Sequence, residues 1–201
     1  MSRWSKPLTE QPSSQPWPTD PYFKLKPAPP TPDDETCSCE GTPAIKLMST
    51  ALLGENPIHC LRCNLEVPPE RLKLSVIEVD AIAHWYGMYG AIDWLELDSG
   101  PYENWARSQL LDPGSPPNVE GLEVTKRLNA IRRCYFWFFQ PVADDDYVSP
   151  TTCPICGDAL VLFEEGLFPQ LLCERDSLVL EGGYQADDDD DLEEPGMSST
   201  S

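Results

Sequence analysis

Between residues 75 and 97, apolar side chains recur at intervals of three and four. Val79, Ile82, Trp85, Tyr86, Tyr89 and Ile92 therefore share one helical face. This spacing predicts a long helix, ended by Asp98-Ser99-Gly100-Pro101. Gly87 and Gly90 each cost about 1 kcal/mol of propensity relative to Ala. They predict either close packing against a neighbour or a division of the segment in two. A shorter helix is predicted over 102–111, with Trp105 and Leu110 buried. Another is predicted over 119–132, capped by Asn118, with Leu122, Val124, Leu128 and Ile131 apolar and Gly121 weakening its start.

The pattern changes on either side of these helices. Residues 44–54 read as a short strand or a helical turn, and Pro68-Pro69 turns the chain before the long helix. The run C-Y-F-W-F-F-Q at 134–140 is the most hydrophobic in the chain and predicts a buried strand closed by Pro141. Farther on, A-L-V-L-F and P-Q-L-L-C-E-R-D-S-L-V-L predict short strands joined through Glu164-Glu165-Gly166. The expected fold class is α+β: a zinc-ribbon-like small antiparallel sheet interrupted by an aromatic-rich helical insertion at about 75–133.

Composition sets the limits of that domain. The first 36 residues hold nine prolines and show no apolar periodicity, so residues 1–43 are expected to be disordered. Seven of the eight residues 187–194 are acidic, which predicts a solvated tail over 182–201. A single domain is expected over 44–181. The formal charge is −20, with 34 acidic residues against 14 Lys plus Arg. That field disfavours non-specific contact with a polyphosphate and favours a basic protein surface as partner. The local exception is Lys126, Arg127, Arg132 and Arg133, the candidate nucleic-acid contact; its competing reading is a solvated helix face paired to acids. No secretory signal or membrane-spanning stretch is visible, so the expected location is the cytoplasm and no membrane partner is expected.

The most specific chemistry lies in two Cys-x-x-Cys pairs, Cys60/Cys63 and Cys153/Cys156. A two-residue spacer turns both sulfurs inward, and four thiolates make a closed structural Zn2+ site. The expected ligand set joins all four across the helical insertion. Pro154 and Gly157 suit the second turn, whereas C-L-R-C lacks both. A competing local set is Cys153, Cys156, Cys173 and Asp176, since Asp also ligates zinc. Under the first scheme Cys173 is a buried small hydrophobe. Cys37 and Cys39 are expected to be unliganded, Cys134 to serve as core packing, His59 to have no metal role, and His84 to be packed or satisfied.

No H-E-x-x-H, phosphate-cradling glycine loop or nucleophile elbow occurs, and a closed site of four cysteine ligands has no open position for a substrate. The chain is therefore not expected to be an enzyme. The segments H-C-L-R-C-N-L-E-V-P-P-E-R-L, A-H-W-Y-G-M-Y-G-A-I-D-W-L, G-L-E-V-T-K-R-L-N and C-P-I-C-G span most of 58–181. Together they resemble an uncharacterised bacterial family of zinc-ribbon-containing proteins for which nucleic-acid binding has been suggested. The resemblance implies a zinc-ribbon fold and a nucleic-acid-associated role. In such proteins a further cysteine pair occurs near the C-terminus, where this chain has Cys173 but Asp176. The other expected role is a protein-interaction adaptor using the aromatic insertion or the acidic tail.

Overall fold

The computed structural model describes residues 19–49, 56–144 and 147–182. Within them the chain forms β1 (Ile45–Leu47), β2 (Ile58–Cys60), α1 (Val76–Leu97), α2 (Glu103–Leu111) and α3 (Pro116–Leu128). It continues through β3 (Cys134–Trp137), β4 (Val161–Phe163), β5 (Gln170–Cys173) and β6 (Leu178–Glu181). All six strands join one sheet in the order β2-β1-β3-β6-β5-β4.

The fold is mixed α+β, but its sheet is neither small nor purely antiparallel. β1, β3 and β6 run parallel at its centre, while β2, β5 and β4 add antiparallel to either side. Parallel neighbours require a crossover that returns the chain to the same end. The three helices supply it between β1 and β3, and the second Cys-x-x-Cys turn with the β4–β5 hairpin supplies it between β3 and β6.

Strand alternation gives the sheet two faces. Ile45, Leu47, Phe136, Leu178 and Leu180 join Val79, Ile82, Trp85, Tyr89, Val124 and Leu128 in the main core beneath the helices. Leu61, Tyr135, Leu172 and Val179 form a smaller cluster on the opposite face. The long helix begins as a capping box: Glu78 N–H donates to Ser75 Oγ at 3.4 Å and Ser75 N–H to Glu78 Oε2 at 2.5 Å.

The other two helices depart from the sequence pattern. Trp105 is 51% exposed because α2 turns Ala106 and Leu110 inward. Helix α3 starts at Pro116, and Ile131 lies beyond its end, 41% exposed. Asn118 does not cap its own helix. It is fully buried, and its Nδ2 donates to the Gln109, Leu110 and Asp112 carbonyls at 3.2, 2.9 and 2.8 Å, closing the end of α2. Asn118→Ala would leave the buried Leu110 carbonyl unpaired, whereas the Gln109 and Asp112 carbonyls keep bonds from Ser115. At about 1 kcal/mol per net bond for the two N–H groups lost, a loss of about 2 kcal/mol is expected in a urea unfolding curve.

The N-terminal expectation also changes. Residues 1–18 and 183–201 lie outside the described residues, so most of the expected acidic tail does too. Residues 19–43, expected to be disordered, instead lie against the domain. Leu25 is 2% exposed within the main core, Lys24 Nζ meets Asp80 Oδ1 at 2.6 Å, and Arg71 donates to the Cys37 and Cys39 carbonyls. Single anchors, rather than a repeating apolar face, hold this segment. Among the described residues, no helix is long and apolar enough to cross a membrane.

Candidate metal centres

The eight sulfur and carboxylate groups singled out by the sequence sort into two clusters. Cys37, Cys39, Cys60 and Cys63 form one, and Cys153, Cys156, Cys173 and Asp176 the other; the ligand atoms of each lie within 4.8 Å of one another. The expected set of Cys60, Cys63, Cys153 and Cys156 is therefore not brought together. The sheet order explains why. Cys60 ends β2 and Cys173 ends β5, and these strands are four places apart. At about 4.8 Å per strand, that separation is roughly 19 Å. Cys37 and Cys39, expected to be unliganded, complete the first cluster, and Cys173, expected to be simple core, belongs to the second.

In the first cluster the β2 end turns sharply, with Asn64 N–H donating to the Cys60 carbonyl and Cys60 N–H to the Leu65 carbonyl, each at 2.9 Å. Asn64 has φ +61°, a left-handed conformation that its short polar side chain tolerates. It does for Cys60–Cys63 what Gly157, φ +75°, does for Cys153–Cys156, where Gly157 N–H donates to the Cys153 carbonyl at 2.9 Å. The opposing arm, Cys37-x-Cys39, is placed from two sides. Cys37 N–H donates to the Glu66 carbonyl at 2.7 Å, and Arg71 Nη1 and Nη2 donate to the Cys37 and Cys39 carbonyls at 2.6 and 2.9 Å.

Electrostatics point the same way. Burial raises the Cys37 thiol, but the Cys39 N–H and hydrogen bonds from the Cys63, Cys60 and Cys39 thiols outweigh it, leaving Cys37 below the usual range. Burial pushes Cys60 and Cys63 up. The same sulfur contacts that lower Cys37 raise Cys60 and Cys63. A dication among all four sulfurs would relieve that conflict.

The second cluster is built from two turns that face each other. Cys153 Sγ lies 3.3 Å from Asp176 Oδ2, Cys173 Sγ lies 3.5 Å from the same oxygen, and the Cys156 and Cys173 sulfurs are 3.6 Å apart. Tetrahedral ligation at about 2.3 Å to sulfur and about 2.0 Å to oxygen sets ligand atoms about 3.8 Å apart for S–S and about 3.5 Å for S–O. The residues present fit such an ion. Burial raises Asp176, but hydrogen bonds from the three thiols dominate and hold its carboxyl below the ordinary value. Its hydrogen bond to Asp176 is the main reason the Cys156 thiol is pushed up to about 12. Ile155 N–H donates to Cys153 Sγ at 3.4 Å, the backbone support a thiolate ligand takes.

The remaining candidates stand apart from both clusters. His59 is buried, with Nδ1 3.0 Å from the Asn64 carbonyl, and is in neither ligand set. The His84 side chain is exposed, its Nε2 3.6 Å from Glu120 Oε1, rather than packed. Cys134 is fully buried on β3, and burial drives its thiol up to about 12. The four basic residues do not act as one patch. Lys126 and Arg127 are exposed on the last turn of α3, Arg132 is half-buried, and Arg133 pairs with Glu174 and stacks on Tyr135 at 4.8 Å. Lys126 and Arg133 share a cleft of about 470 Å³ with Arg175, Glu123, Glu174 and Asp176, three bases against three acids. Comparison of the chain with protein-family models, curated proteins and solved structures gives no match.

Proposed function

We propose that the protein is a non-catalytic binding module clamped by two structural zinc ions. Cys37, Cys39, Cys60 and Cys63 would hold one ion, and Cys153, Cys156, Cys173 and Asp176 the other. The observation that carries this reading is the convergence of two complete four-ligand sets, the ligand atoms of each within 4.8 Å of one another and those of the second close to tetrahedral spacing. Each ion would cross-link turns distant in sequence, and four protein ligands leave no position for a substrate. In this reading each centre is a pair of facing ribbon-like turns, in keeping with the zinc-ribbon resemblance. All eight cysteines are free of disulfides, which leaves their sulfurs available to a metal.

The partner best matched by the charge is a basic protein surface. The chain carries −20, and Trp94, Tyr102 and Trp105 stand 53%, 61% and 51% exposed around the joint between α1 and α2. Such aromatics are typical anchors of protein contacts. Lys126 and Arg127, exposed and without ion pairs among the described residues, favour nucleic acid as the second reading.

Fluorescence anisotropy with labelled single- and double-stranded 20-mers at 50 and 200 mM salt separates the two. The expected result is no saturable binding below about 100 µM, since phosphate-driven affinity requires several uncompensated bases. Tight binding that weakens with salt and disappears in Lys126→Glu/Arg127→Glu would replace the protein partner by nucleic acid.

A further inference from the structure

The helix-free face of the sheet carries polar groups that neither metal centre uses. A cavity of about 340 Å³ there is lined by Lys46, Asn64, Phe168, Pro169, Gln170 and Glu181. Lys46 sits on central strand β1, pairs with His59 and Tyr135 in register, and is only 5% exposed. Its ammonium has three donors, yet its one hydrogen bond among the described residues is to Gln170 Oε1, at 3.3 Å. Gln170, 4% exposed, is held in turn by a 2.8 Å bond from Nε2 to the Leu61 carbonyl, so it cannot turn away. An under-satisfied buried ammonium costs stability, and an apolar side chain would fill the position at no such cost.

One acceptor completes the site. The Glu181 side chain forms no ion pair within 4 Å among the described residues, and its charge partly offsets the burial that lowers Lys46. Lys46 and Glu181 thus attract across one cavity without direct contact. A ligand that satisfies both must carry an anion and a cationic donor. A phosphate would place its charge against Glu181. Phe168 and Pro169 add an apolar wall, and the volume is at the small end for ligand pockets.

We propose that this cavity binds a free α-amino acid. Its carboxylate lies on Lys46, its ammonium on Glu181, and its side chain along Phe168 and Pro169. The site contains no metal ligand, although Asn64 in its wall also shapes the Cys60–Cys63 turn.

Isothermal titration of the full metal-loaded chain with L-phenylalanine, phenylacetate and phenethylamine tests it. Saturable binding is expected for L-phenylalanine, with the two singly charged analogues at least tenfold weaker. Lys46→Met and Glu181→Gln should each weaken L-phenylalanine at least tenfold, while Lys126→Glu leaves it unchanged. Metal content and unfolding midpoint establish that each variant is folded; if Lys46→Met is not, Glu181→Gln decides. No binding of L-phenylalanine overturns the proposal. So does phenylacetate or phenethylamine binding as well as the amino acid, or unchanged affinity in a folded variant.

Discussion

Cys60→Ser and Cys153→Ser are each expected to leave one equivalent of zinc where the proposed two-site protein would carry two. Inductively coupled plasma mass spectrometry on refolded, buffer-exchanged protein reads this directly. The two variants should differ in stability. Cys60 is fully buried at the end of β2, and with Cys37 it belongs to the main core beneath the helices. Losing that ion would free residues 37–39 from β2 and open the core edge. A structural zinc ion contributes binding free energy directly to folding, so a loss on the order of 5 kcal/mol or more is expected. Cys153 and Cys173 also reach into that core, but Cys153 sits in a surface turn, in which Pro154, Ile155 and Gly157 are exposed, facing the end of β5. Its loss should appear mainly as faster amide exchange over 151–160 and 173–177, with a smaller change in global unfolding. A single equivalent in the parent protein, lost by both variants, would instead restore one shared site.

Why the ligand partnership was hidden follows from what each signal measures. The Cys-x-x-Cys spacing reports a local turn, and both turns form. It carries no information on which turns face each other, because strand order decides that. The first partner arm, Cys37-x-Cys39, lies in a proline-rich stretch without periodicity, ordered by Arg71 and Glu66 from elsewhere in the chain. The second partner ends in a carboxylate, so a count of cysteines passes over it, although Cys173-x-x-Asp176 was legible as a competing pattern. Helix α1 and the four strands after residue 133 were readable because period and β-branched or aromatic content are local properties. The parallel centre of the sheet was not. Three-residue strands such as Ile45–Leu47 carry too few alternating positions to announce their neighbours.

Glycine shows the same division between local and tertiary information, and it supports the second large effect. In sequence, Gly87 and Gly90 stand out as breaks in the long helix, and Gly121 only weakens a helix start. In the fold, a Cβ at Gly87 would meet nothing within 4 Å, and one at Gly90 only Ser49 Oγ at 3.5 Å. A Cβ at Gly121 would fall 2.4 Å from Phe136 Cε2 and 2.7 Å from Trp85 Nε1. Neither ring has room to retreat. Trp85 and Phe136 are fully buried, stack edge to face at 5.8 Å with Tyr89 beside both, and Trp85 Nε1 donates to the Pro117 carbonyl at 3.1 Å. Gly121→Ala must therefore push α3 off the sheet or break that hydrogen bond. Overpacking costs typically about 1–3 kcal/mol. The clash here involves two rigid rings, so the upper end is expected even after about 1 kcal/mol of helix propensity is regained. Gly87→Ala has the same propensity gain and no clash, so it should raise stability by up to about 1 kcal/mol. Opposite shifts in the urea midpoint at unchanged slope are the expected result. A Gly121→Ala protein as stable as the Gly87→Ala one would mean that α3 does not sit against Phe136 as closely as the aromatic cluster requires.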